Sequence, residues 1–110
     1  MESGNDLQKQ FHDCMPLFIA LGDEVRLTII ELLSQALQSG PEQGLNVNEI
    51  TCKTNLSRPA ISHHLKILKD SGLVEARKLG TSNYYHLTLE DSTRKLMDLG
   101  FLVQKSLYRN

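Results

Sequence analysis

The chain has only two cysteines, Cys14 and Cys52, in 110 residues. Two thiols so far apart cannot build the disulfide framework of a small secreted domain, and their scarcity fits a reducing compartment. Long apolar runs are missing as well. No stretch approaches the roughly 20 consecutive apolar residues that a membrane span needs. The acidic start, Met-Glu-Ser-Gly-Asn-Asp, lacks the basic-then-apolar order of a secretory signal. The expectation is a cytoplasmic protein with no membrane partner. Catalytic signatures are also absent: there is no glycine-rich phosphate loop, no nucleophile elbow and no metal-activating cluster. A chain this short has little room for a substrate pocket beside its core, so neither an enzyme nor a cofactor is expected. No repeat or low-complexity tract interrupts it.

With 40% hydrophobic and 23% charged residues, the chain can bury one modest core. The net charge of −1 argues at first against a polyanionic partner, but the charge is segregated. Residues 1–50 carry eight acids against two bases, a balance of −6. Residues 51–86 carry six bases (Lys53, Arg58, Lys66, Lys69, Arg77, Lys78) against Asp70 and Glu75, a balance of +4. Residues 87–110 hold four bases and three acids, a balance of +1. The cationic charge is thus confined to one segment, as expected of a nucleic-acid footprint, although solvated surface lysines would give the same count.

Periodicity and punctuation predict the elements. Leu7, Phe11, Leu17, Phe18 and Leu21 recur at near-helical spacing, and Pro16 predicts a kink there, or a restart capped by Asp13. Asp23 is the natural cap of a second helix whose apolar face holds Val25, Ile29, Ile30, Leu32, Leu33, Ala36 and Leu37. Gly40-Pro41 and Gly44 end it in a loop. Asn46 or Asn48 can cap a short third helix through Thr54, with Val47 and Ile50 inward, and Asn55-Leu56 then turns into Ser57. Residues 46–69 therefore read as helix, short turn, helix, the geometry of a helix-turn-helix. Gly72 ends the next helix in the left-handed conformation. Residues 73–87 read as a hairpin, with strands at 73–78 and 84–87 and a turn at Gly80-Thr81-Ser82-Asn83. From Glu90 to Tyr108 helical spacing returns, with Thr88 as cap and Asp91 at its third helical position.

The helix over 57–69 carries the functional argument. Ile61, Leu65 and Leu68 at i, i+4, i+7 should face the core, which leaves Arg58, Pro59, Ser62, His63 and Lys66 outward. The N-terminal half of a recognition helix reaches base edges, so Arg58, Ser62 and His63 are candidates for base reading, with Pro59 suited to a thymine methyl. Ser57, Lys66 and Lys69, with the wing residues Arg77, Lys78, Ser82 and Asn83, are of the types that meet phosphates. His64 diverges from His63 on the helix and reads as structural or phosphate-facing, and His86 as a surface or interface residue.

Leu21-Gly22-Asp23-Glu24-Val25-Arg26-Leu27-Thr28-Ile29-Ile30-Glu31-Leu32-Leu33, then Leu56-Ser57-Arg58-Pro59-Ala60-Ile61-Ser62-His63-His64-Leu65-Lys66-Ile67-Leu68, then Ser71-Gly72-Leu73-Val74 and Tyr84-Tyr85-His86-Leu87, resemble the ArsR/SmtB-type winged helix-turn-helix repressors over nearly the whole chain. The resemblance implies a mainly α fold of about five helices plus a small β-hairpin wing, forming a single domain over 1–110. It also implies a homodimer built from the first and last helices (1–21 and 88–110) that binds double-stranded DNA at an inverted-repeat operator and leaves it when an inducer is sensed. Leu7, Phe11, Phe18, Leu96, Leu99, Val103 and Leu107 are the expected dimer seam. An apolar stripe that broad would leave uncovered surface on a monomer this small.

Where metal-sensing members often carry Cys-x-Cys, this chain has Asn46-Val47-Asn48, and its last helix has no histidine. Soft or borderline ions want thiolate and imidazole, so no metal site is expected at either position. Two alternatives stay open. One is a thiol- or metal-responsive repressor using Cys14 and Cys52, with His12. The other is a winged-helix module that binds protein instead of DNA.

Overall fold

The computed structural model describes residues 3–38 and 44–108. Among them are five helices and three strands: α1 (Ser3–Leu21), α2 (Glu24–Gln38), β1 (Leu45–Asn46), α3 (Val47–Thr54), α4 (Arg58–Asp70), β2 (Val74–Leu79), β3 (Ser82–Leu87) and α5 (Glu90–Leu107). None of these helices is long and apolar enough to cross a membrane. The loop expected at Gly40-Pro41 lies outside the described residues.

α1 runs as one helix through Pro16, so of the two expectations there the restart at Asp13 is removed. Proline removes a single amide from the ladder. Cys14, Leu17 and Ala20, buried on either side of it, hold the helix to its neighbours regardless. α2 starts as expected, with Asp23 Oδ1 accepting from the N–H groups of Val25 (2.8 Å) and Arg26 (3.1 Å). Ile29 and Leu33 are buried, with Val25, Ile30, Leu32 and Ala36 packed beside the core. Leu37, expected on the same face, is 61% exposed.

Asn46, not Asn48, caps α3. Its side chain accepts from Glu49 N–H (2.8 Å), and its own N–H donates to Glu49 Oε1 (2.9 Å), a reciprocal capping box. Asn55 closes α3 in the left-handed region, φ 61°. Ser57 Oγ then accepts from Ala60 N–H to cap α4. At the far end of α4, Gly72 (φ +80°) lets Leu73 N–H reach the Leu68 carbonyl and its own N–H reach that of Lys69, a Schellman closure.

The hairpin is tighter than expected. Leu79 pairs with Ser82, so the turn is Gly80-Thr81 alone, and Ser82 and Asn83 belong to β3. Its strands pair further than the run of β-forming residues suggests. The third strand, β1, has only two residues and pairs with β3 in the order β1-β3-β2. Gly44 makes that pairing possible: a Cβ there would sit 1.9 Å from the Tyr85 carbonyl oxygen. Thr88 does not cap α5. Leu89 holds that position without a side-chain bond, while Thr88 ties the wing's base to the end of α4 through Gly72 and Leu73 carbonyls.

The core joins Leu17 and Ala20 of α1, Ile29 and Leu33 of α2, Ile50 of α3, and Ile61, Leu65 and Leu68 of α4 with Leu45, Leu73 and Val74. α5 packs on α1. There Gln10 Nε2 and Cys14 Sγ both donate to the Lys95 carbonyl, at 3.2 and 3.4 Å.

Candidate nucleic-acid interface

α4 sorts its residues as its periodicity demands. Ile61, Leu65 and Leu68 are essentially inaccessible, while Arg58, Pro59, Ser62, His63, Lys66 and Lys69 are all exposed. The N-terminal turns of α4 thus present hydroxyl, imidazole and guanidinium groups on one outward face, anchored by an apolar underside. Lys66 is engaged with Asp70 one turn on (2.9 Å), with both side chains well exposed.

His64 turns inward and has a structural role. The Arg26 guanidinium, only 9% exposed, donates through Nε to the Ala20 carbonyl (2.7 Å), through NH2 to the Ile19 carbonyl (3.2 Å) and through NH1 to His64 Nδ1 (3.1 Å). One side chain therefore closes the end of α1, belongs to the first turn of α2 and braces α4. Asp23 lies 4.0 Å from the same imidazole nitrogen. The N–H of Arg26 above all, helped by that of Val25 and by the Arg26 charge, holds the Asp23 carboxyl below its usual range. Sequence reasoning missed Arg26, though a signal existed. It shares the spacing of Ile29 and Leu33, and an arginine on an apolar face needs buried acceptors.

Arg58 does not stand free on its helix, because its NH1 donates to Asn48 Oδ1 at the start of α3. Asn48, considered only as a cap, instead holds the guanidinium. Between this pair and the hairpin lies a cleft of about 290 Å³ lined by Asn48, Arg58, Ser62, Thr81, Ser82 and Asn83. In the wing, Arg77, Lys78 and Asn83 are exposed and Ser82 is half-buried. Arg77 lies back along the strand, 3.5 Å from His86 Nε2, which is itself 3.6 Å from Glu75 Oε1. His86 is therefore half-buried at the wing's base, its Nδ1 buried and without a hydrogen-bond partner.

Cys14 and Cys52 are both unpaired thiols, the first buried against α5 and the second exposed on α3. Among the described residues, no three His, Cys, Asp or Glu side chains are grouped to share a metal ion.

Residues 23–76, from the cap of α2 through the recognition helix into β2, match the family described as bacterial regulatory protein, arsR family. An HTH-type transcriptional regulator of Methanocaldococcus jannaschii is 34% identical over 91 residues, covering 83% of this chain and 94% of that one. The chain belongs to the arsR family. Like other arsR-family proteins it is a DNA-binding transcriptional regulator with the winged helix-turn-helix fold. Two further relatives lie close to it. The transcriptional repressor SdpR of Bacillus subtilis is 31% identical over 85 residues, with 74% of this chain and 87% of that one covered. The homodimeric winged helix-turn-helix DNA-binding domain of a possible ArsR-family regulator from Mycobacterium bovis superimposes with a TM-score of 0.61 at 28% identity, covering 100% of this chain and 93% of that one.

Proposed function

We propose that this arsR-family regulator is a cytoplasmic, homodimeric repressor that binds an inverted-repeat operator. Its segments would divide as 46–69 for the helix-turn-helix, 73–87 for the wing, and 1–21 with 88–110 for dimerisation. The observation that carries the reading is the outward face of α4, where Arg58, Ser62 and His63 are exposed together above a fully buried Ile61, Leu65 and Leu68. On this reading Arg58, Ser62 and His63 reach base edges from the N-terminal half of the helix, and Pro59 meets a thymine methyl. Ser57, Lys66 and Lys69 anchor to phosphates, as do Arg77, Lys78, Ser82 and Asn83 from the wing.

Repression and dimerisation are supported by the names of similar proteins, SdpR as a repressor and the mycobacterial domain as a homodimer. The surface of α1 and α5 supports dimerisation independently. Phe11, Phe18, Met97, Phe101 and Leu107 are 43–72% exposed, more apolar area than a monomer gains by leaving wet. Of the expected seam, Leu7 and Val103 are half-buried, and Leu96 and Leu99 are turned into the protomer. These inner leucines brace the two helices while the aromatic residues face the second copy.

Selection of bound fragments from genomic DNA, followed by gel shifts at fixed salt, tests the reading. A palindromic site with half-sites about 34 Å apart is expected. His63→Ala should cost about 1–3 kcal/mol on that site and relax one base position, whereas Lys66→Ala should weaken all duplexes alike. If neither substitution changes affinity, the assignment of α4 as the DNA reader fails.

A further inference from the structure

The cleft between α4 and the wing is not accounted for by the outward face of α4 alone. Among its lining residues there is no carboxylate, and its walls include one guanidinium, the hydroxyls of Ser62, Thr81 and Ser82, and the carboxamide of Asn83. The guanidinium is fixed there. Arg58 NH1 donates to Asn48 Oδ1, so the head group is drawn toward α3.

In this type of motif the first helix crosses the nucleic-acid backbone while the second enters the major groove. A helix in the major groove and a hairpin tip at the neighbouring minor groove have one sugar–phosphate strand between them. The donors that line the cleft therefore stand where that strand must pass, and a phosphodiester needs such an acid-free set of donors.

We propose that this cleft seats one phosphodiester of the operator backbone, with Arg58 as its cationic ligand and Asn48 as the residue that aims Arg58. The proposal rests on the DNA-binding reading and changes the part Arg58 plays in it. Arg58 anchors the strand between the grooves, and sequence is read by Ser62 and His63. Asn48 is a positioning residue: holding an exposed arginine in one rotamer lowers the ordering cost of binding.

The test uses the full chain and its selected operator, with the fold of each variant checked by urea unfolding. Arg58→Ala should weaken binding on the order of tenfold for all duplexes alike and reduce the slope of log affinity against log salt by about one. Base preferences should stay unchanged. Arg58→Lys should restore most of the affinity, because a phosphate accepts a point charge. Asn48→Ala should lose affinity in the wild type and none in the Arg58→Ala background. A scan of single neutral methylphosphonates along the operator should find one position per half-site that weakens the wild type as much as Arg58→Ala does, and that has no further effect on that variant. A changed base preference at one position with an unchanged salt slope would overturn the seat and make Arg58 a base reader. A methylphosphonate scan with no position masked by Arg58→Ala would overturn it equally. A wild-type protein that retains no duplex at any salt would overturn the DNA reading itself.

Discussion

The Arg26 guanidinium donates to two main-chain carbonyls and an imidazole while only 9% exposed. Replacing it with alanine leaves buried acceptors on Ile19, Ala20 and His64 bare, and Arg26→Ala should lower stability by about 2–3 kcal/mol in urea unfolding at fixed protein concentration. Asp23 acts beside it with a pH signature. Its carboxyl is held below the usual range in the folded chain, so the stabilisation it gives is present above the unfolded carboxyl's range and disappears as pH falls through the lower folded value. Melts from pH 7 to pH 3 should therefore fall more steeply at the acid end for the wild type than for Asp23→Asn, which keeps the cap without the charge. At this scale the outward residues of α4 were legible, because a 3.6-residue period assigns them without knowledge of their neighbours. The partners of Asn48 and Arg26 were not, because they lie 10 and up to 38 positions away.

Helices and strands were legible where a local signal sufficed and obscure where packing decided. Asp23, Ser57 and Gly72 bounded their helices from residue chemistry alone. Pro16 suggested a kink or a restart, the buried neighbours carry one helix through it, and the continuous α1 makes a sharp prediction. Pro16→Ala restores an amide opposite the His12 carbonyl and should stabilise the protein by about 1–3 kcal/mol in chemical denaturation. A loss of stability would mean that the proline ring fits its surroundings better than the ladder bond it displaces. β1 was invisible because Leu45-Asn46 is too short for an alternating pattern. Its existence depends on Gly44 coming close to Tyr85 with φ +78°. Gly44→Ala should detach that strand, read as faster amide exchange along β3 with α4 protection retained.

As a whole the protomer is long and narrow, 54 × 26 × 19 Å, with a radius of gyration of 16.5 Å. A compact chain of this length would have a radius of about 13 Å. The elongation accompanies the exposed stripe of α5 and the outer face of α1, and a two-fold partner laid along them would restore a normal ratio of core to surface. Phe101→Asp should convert a dimer to monomer in sedimentation at micromolar concentration and abolish preference for palindromic over single half-sites, with α4 intact. The charge split that drew attention to residues 51–86 was the whole-molecule signal available from sequence, and all six of its bases are exposed on α3, α4 and β2. Which leucines turn inward was not available, since Leu99 and Leu107 share a helical stripe yet are 7% and 72% exposed.

Arginine has hydrogens to give and no lone pair to offer. The 3.1 Å contact between Arg26 NH1 and His64 Nδ1 therefore fixes the imidazole with a bare Nδ1 and its hydrogen on Nε2. The ring of His64 meets that of His63 edge-on, centroids 5.4 Å apart. Nitrogen chemical shifts should thus report a single tautomer for His64 on the folded chain, and a mixture would show that this side chain turns over in its slot beneath the recognition surface.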